Sequence, residues 1–158
     1  MSESAAGAQP APFPNTDGLT RSAQDDAYRH RWANQPFNRF LGLELAEQQD
    51  GYCRVLLRPH EQTPRGAGNG LHGGVLASLV DIAALAAIGS VVGPNDIMSG
   101  TAELNISYLR PAVGELVVTE ARVLKKGRAL VAVDIDISDG HGRLFSKGRV
   151  QYALRQRT

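Results

Sequence analysis

The chain has 158 residues, 42% of them hydrophobic, which suits one domain with a single sizeable core and excludes a largely disordered polymer. A formal net charge of +1 excludes a general attraction to nucleic acid or anionic membranes, so an anionic ligand has to be held by local clusters. Cys53 is the single cysteine, which excludes an internal disulfide and a thiolate metal cluster and points to a reducing compartment.

Residues 1–20, rich in Ala, Pro, Ser and Gly and without periodicity, read as a flexible tail, and residues 21–158 as one domain. The stretch Met1 to Pro14 carries Glu3 and lacks the basic cluster and apolar run of a secretory signal, so the cytoplasm is the expected location. From Asp25 to Phe40, the spacing of Tyr28, Trp32, Phe37 and Phe40 predicts an amphipathic helix capped by Asp25, with Pro36 interrupting or ending it. Leu41 to Glu47 and Tyr52 to Arg58 are predicted strands joined by Asp50-Gly51, a strong hairpin dipeptide. Pro59 to Leu71 then reads as a loop rich in Gly and Pro.

The run from His72 through Gly89 is apolar or small almost throughout and predicts a central helix, closed by Gly93-Pro94-Asn95-Asp96. A helix that is apolar on every side belongs in a core, and Asp81 in its middle is costly to bury unless something compensates it. That acid also argues against a membrane span over Val75 to Val92. Beyond the helix the period changes. Leu104, Ile106 and Tyr108 alternate with Glu103, Asn105 and Ser107, and Val131, Val133, Ile135 and Ile137 alternate with Ala132, Asp134 and Asp136, so both segments predict half-buried antiparallel strands. Glu115 to Leu124 supplies another strand, and Arg143 to Leu154 completes a meander through short turns at Lys125 to Arg128 and Asp139 to Gly142. The expected class is α+β: a curved antiparallel sheet, two strands before the long helix and four after it, wrapped round that helix, with an extra N-terminal helix.

Gly70-Leu71-His72-Gly73-Gly74-Val75, Asp81 nine positions after the His, and a strand ending Asn105-Ile106-Ser107-Tyr108-Leu109-Arg110-Pro111 together resemble the hot-dog-fold acyl-CoA thioesterases of the phenylacetic-acid-degradation type. The likeness runs from about Leu41 to Leu154 and implies hydrolysis of an acyl-CoA thioester without a cofactor. It implies that the backbone N–H of Gly73 polarises the carbonyl, and that Asp81 activates water or attacks as a nucleophile. The physics agrees for the donor: a helix starting near His72 leaves the N–H groups of Gly73 and Gly74 unsatisfied at its positive pole, where a developing oxyanion is favoured.

Gly73 and Asp81 are eight residues apart, about 12 Å along one helix, so one carbonyl cannot touch both. Donor and acid must then come from different subunits of a two-fold homodimer, consistent with a family that often doubles to tetramers. The resemblance further matches Thr101 to a small hydroxyl residue near the acid. Where the family often has an amide six residues before the His, this chain has Gly66, and Asn69 is the nearest amide, either a substrate contact or a turn residue. The His72 side chain is expected to orient rather than to transfer protons. Lys126 and Arg128, with Lys125 on the same turn and Arg110 and Arg149 elsewhere, are candidates for the coenzyme A phosphates. His30, His60 and His141 lack metal-ligand spacing and read as solvated surface, so no metal is expected. Two other functions fit the same residues: a hot-dog enoyl-CoA hydratase or dehydratase, which needs the His72 ring in the pocket, and a non-catalytic acyl-CoA-binding protein.

Overall fold

The computed structural model describes residues 26–157; the expected tail and the Asp25 cap lie outside the described residues. Helix α1 (Asp26–Ala33) is followed by α2 (Pro36–Leu41). Pro36 starts the second helix rather than ending the first, because its missing N–H falls where a helix has no use for one. Gly42, at φ 69°, closes α2 in the left-handed conformation, returning its N–H to Arg39 and Asn38. The Asn38 amide ties the two helices by donating to the Trp32 carbonyl at 2.9 Å.

Six antiparallel strands follow, β1 (Leu43–Gln49), β2 (Tyr52–Leu57), β3 (Asp96–Tyr108), β4 (Val117–Lys126), β5 (Leu130–Ser138) and β6 (Leu144–Gln156), in the spatial order β1-β2-β4-β5-β6-β3. The hairpin at Asp50-Gly51 and the meander β4-β5-β6 are those expected. Strand β3 does not neighbour β4, its successor in sequence; it lies beyond β6 and forms an open edge thirteen residues long.

Helix α3 (Gly73–Gly89) lies in the concave face of this sheet. The alternation of β5 buries Val131, Val133, Ile135 and Ile137, which join Val55, Val150 and Tyr152 in a core with Leu76, Leu79, Val80 and Ala83 of the helix. At Gly148 of β6 the approach is closest, since an added Cβ would stand 2.7 Å from both methyls of Val80.

The helix ends one turn before the Gly93-Pro94 signal, at Gly89. Its last carbonyls are buried and have to be satisfied within the protein. Gln48 Nε2 donates to Ala86 O at 2.6 Å, and the Ser90 hydroxyl stands 2.7 Å from Ala87 O while accepting the Gly51 N–H; one turn further in, Cys53 Sγ lies 3.1 Å from Ala83 O. The β1–β2 hairpin thus plugs the negative pole of α3. Cys53 is a buried free thiol, and burial pushes its pKa up to about 12. Among the described residues no helix is long and apolar enough to cross a membrane.

Candidate active site

The structure corrects the expectation that α3 is enclosed on every side. Its sheet-facing residues are buried, but Gly74, Ala77, Ser78, Asp81, Ile82 and Leu85 form a stripe at helical spacing that the sheet leaves uncovered. Asp81 lies on this stripe and is only half-buried, so its carboxylate does not bear the desolvation cost that an enclosed helix would impose.

Thr101 Oγ1 donates to Asp81 Oδ1 at 2.6 Å. This contact depends on two irregularities in β3. Met98 and Leu104 pair with Leu154 and Val150 of β6, both inward-facing, and strict alternation from either would send Thr101 to the outer face. One bulge between Met98 and Gly100 and another between Thr101 and Glu103 each add a residue, reversing the parity for Thr101 and then restoring it. Thr101 therefore sits opposite the buried Tyr152, well inside the strand. Burial raises the Tyr152 phenol's pKa, and the nearby Asp81 charge raises it further.

At the other end of the stripe, His72 is the N-cap of α3, with φ −58° and ψ 139°. Its Nδ1 accepts the Gly74 N–H at 2.9 Å, which places the ring proton on Nε2. The remaining groups of the first turn are accounted for in the same way. His72 N–H donates to Pro64 O, and His72 O accepts from Val75 and Leu76. Gly73 N–H alone of this turn has no acceptor among the described residues. Gly74 is thus not a second free donor, because its N–H already donates to the His72 ring. Asn69 adopts φ 60°, the left-handed turn conformation, and its carbonyl accepts from Arg65.

Tyr108 was legible only as an inward residue of an alternating strand. Its ring lies against Gly73, where an added Cβ would be 3.4 Å from Cε1, and its hydroxyl donates to Gly73 O at 3.0 Å.

The remaining candidates lie elsewhere. Lys126 is ion-paired with Asp96 at 2.8 Å, beyond the C-terminal end of α3 and at the far end of the helix from Gly73; Gly93 N–H and Gln156 complete that cluster. Burial alone would raise the Asp96 carboxyl, but the Lys126 ammonium and the two N–H donors outweigh it and hold its pKa low. Arg128 contributes its carbonyl to Gln156. The outer face of the sheet carries a separate open groove of about 550 Å³, lined by residues including Glu103, Asn105 and Arg149, but Arg149 and Lys147 are ion-paired there with Asp134, and Lys147 also with Asp136. His60 is exposed yet engaged, with Nε2 3.1 Å from Phe40 O and Nδ1 accepting from Gln62. Among the described residues no group of three His, Cys, Asp or Glu side chains could hold a metal ion.

The model of the thioesterase superfamily matches residues 68–146, the span that holds α3, the bulged strand and the catalytic candidates. The chain is 30% identical over 137 residues to the medium/long-chain acyl-CoA thioesterase YigI of Escherichia coli, covering 77% of this chain and 86% of that one. It is 32% identical over 117 residues to acyl-coenzyme A thioesterase 13 of Pongo abelii, covering 72% and 81%. Among solved structures it resembles zebrafish thioesterase superfamily member 2, with a TM-score of 0.69, 30% identity and coverage of 81% and 94%. The curved sheet around a single long helix is the hot-dog fold, and the chain belongs to the thioesterase superfamily.

Proposed function

We propose that this protein hydrolyses acyl-CoA thioesters, as a member of the phenylacetic-acid-degradation-type branch, at sites built by two copies of the chain. The observation that carries the reading is the polar accounting at the start of α3, which leaves one amide, Gly73 N–H, unclaimed at the positive pole of a helix. Asp81 supplies the second group. Thr101 holds one carboxylate oxygen, so the other faces the open side of the helix and takes a proton from attacking water, or itself attacks the carbonyl. In the general-base route water oxygen bonds to the carbonyl carbon as its proton passes to Asp81, the oxyanion forms against Gly73 N–H, and the C–S bond breaks as that proton is returned to the departing sulfur, releasing the CoA thiol and the free acid.

The two groups stand eight residues apart on one straight helix, about 12 Å, so a homodimer completes each site. The open edge of β3 supports this assembly: a strand thirteen residues long, paired with β6 on one side and with no strand on the other, is a ready template for a second copy, and its inner side carries both Thr101 and Tyr108. Pairing of two such dimers is the further assembly we propose. Asn69, on the exposed turn before the helix, and Gly74, on its open stripe, border the path of the substrate. Arg128 is the proposed phosphate contact of the basic hairpin, while the charge of Lys126 is already met by Asp96.

Gly73→Pro tests the donor directly. Proline suits the first position of a helix, and the His72 backbone already has the extended geometry that a following proline requires, so the substitution deletes the N–H with little disturbance of the turn. In a thiol-release assay over aliphatic, aromatic and hydroxyaromatic acyl-CoAs, Gly73→Pro should lower kcat by about 10²- to 10³-fold. Asp81→Ala should abolish turnover; full activity in either variant overturns the assignment.

A further inference from the structure

We infer that Tyr108 is a positioning residue for this reaction, acting through the Gly73–Gly74 peptide; the inference rests on the reading of Gly73 N–H as the oxyanion donor. That peptide is held at both ends by side chains. Its carbonyl accepts from Tyr108 Oη at 3.0 Å, and its N–H donates to His72 Nδ1 at 2.9 Å. The peptide before it, which carries the donor N–H, is held on its carbonyl side by Val75 and Leu76. Two glycines in succession have the widest backbone freedom of any pair, and at a helix terminus they would fray without such restraint.

Tyr108 reaches this point from a different element. It stands on β3, the same strand whose Thr101 hydroxyl holds Asp81, and both side chains point inward through the register set by the bulges. The edge strand therefore fixes the acid with one hydroxyl and the amide donor with another. A hydrogen-bond donor stabilises a transition state only as well as it is aimed, and a displacement of about 1 Å in a positioned group can cost on the order of a hundredfold in rate. The phenol of Tyr108 is half-exposed, and its ring makes ordinary contact with Gly73, so the hydroxyl can be deleted without opening a cavity.

Tyr108→Phe keeps that ring and deletes the hydroxyl alone. With decanoyl-CoA and phenylacetyl-CoA as probes in the thiol-release assay, the variant should lose about ten- to hundredfold in kcat with KM within about twofold, because aim rather than ground-state binding is lost. Backbone amide relaxation should show lower order parameters at Gly73 and Gly74, and light scattering should show an unchanged assembly. A Tyr108→Phe protein with wild-type kcat, a loss confined to KM, or a loss that accompanies dissociation of the subunits overturns the inference. Gly73→Pro separates this outcome from failure of the underlying reading. If Gly73→Pro stays active, the donor assignment and Tyr108's role fall together; if Gly73→Pro is impaired and Tyr108→Phe is not, only the role of Tyr108 falls.

Discussion

Asp81 of the central helix and Thr101 of the edge strand meet in a hydrogen bond of 2.6 Å, one of two by which that strand holds a candidate catalytic residue of the helix, the other being Tyr108 to Gly73. Replacing Thr101 by Val keeps the side-chain shape and removes the hydroxyl, so kcat should fall about tenfold, the worth of one hydrogen bond to a charged group, with thermal stability nearly unchanged because the site is exposed. Steady-state kinetics alongside a melting curve would show it, and a large loss of stability would contradict the assignment. At this scale the sequence marked Asp81 within the helix and Gly73 at its start. An aspartate among small apolar residues and a His-Gly-Gly at a helix start are local signals, readable because capping and helix polarity act within a single turn. The contacts of Tyr108 and the orientation of Thr101 were not readable, since each depends on which strand lies beside which. Local patterning also overstated the burial of Asp81: composition shows that α3 is apolar, but not that the sheet stops short of one of its sides.

Among elements, the meeting of α3 with β6 at Gly148 sets how deeply the helix sits in the sheet. Gly148→Ala would place a methyl 2.7 Å from Val80 and should destabilise the protein by about 1–3 kcal/mol, measured by urea unfolding. Val80→Ala in the same chain should recover part of that loss, because the two side chains compete for one space; additive effects would show that the helix does not touch the sheet there. Strand identity was legible from alternation in β5 and in the second half of β3, and the first hairpin from Asp50-Gly51. The sequential meander suggested by strand order did not extend to β3. The connection after Tyr108 passes β6 and β5 to reach β4, held where Leu109 and Arg110 donate to Phe145 O and where Leu71 donates to Ala112 O. No periodicity within a strand encodes that choice: in the chain α3 lies between β2 and β3, and β3 is placed beyond β6, with β4, β5 and β6 between it and β2 in the sheet.

The whole molecule has two assembly-scale properties that solution measurements can reach. If each site draws Gly73 from one chain and Asp81 from the other, mixing Gly73→Pro with Asp81→Ala protein and allowing exchange should restore up to one intact site per heterodimer; no recovery despite proven exchange would refute shared sites. Acid stability is the second. Asp96 and Asp134 have carboxyls held below their ordinary range, Asp96 by Lys126, Gly93 and Gln156, and Asp134 by Lys147 and Arg149, in both cases against the opposing effect of burial. A depressed folded-state value contributes stability that is complete above the unfolded value, about 3.9, and is lost as pH falls through the lower folded one. Melting temperature should therefore decline below about pH 4, and Asp96→Asn should flatten that decline. The plug at the far end of α3 also shapes the protein's electrostatics. Gln48 and Ser90 meet the carbonyls of Ala86 and Ala87 in the last turn inside the fold, while the first turn keeps one N–H uncommitted. A helix whose last carbonyls are met inside the fold and whose first turn keeps one free N–H offers its partial positive charge to an electron-rich oxygen that comes within reach of that N–H.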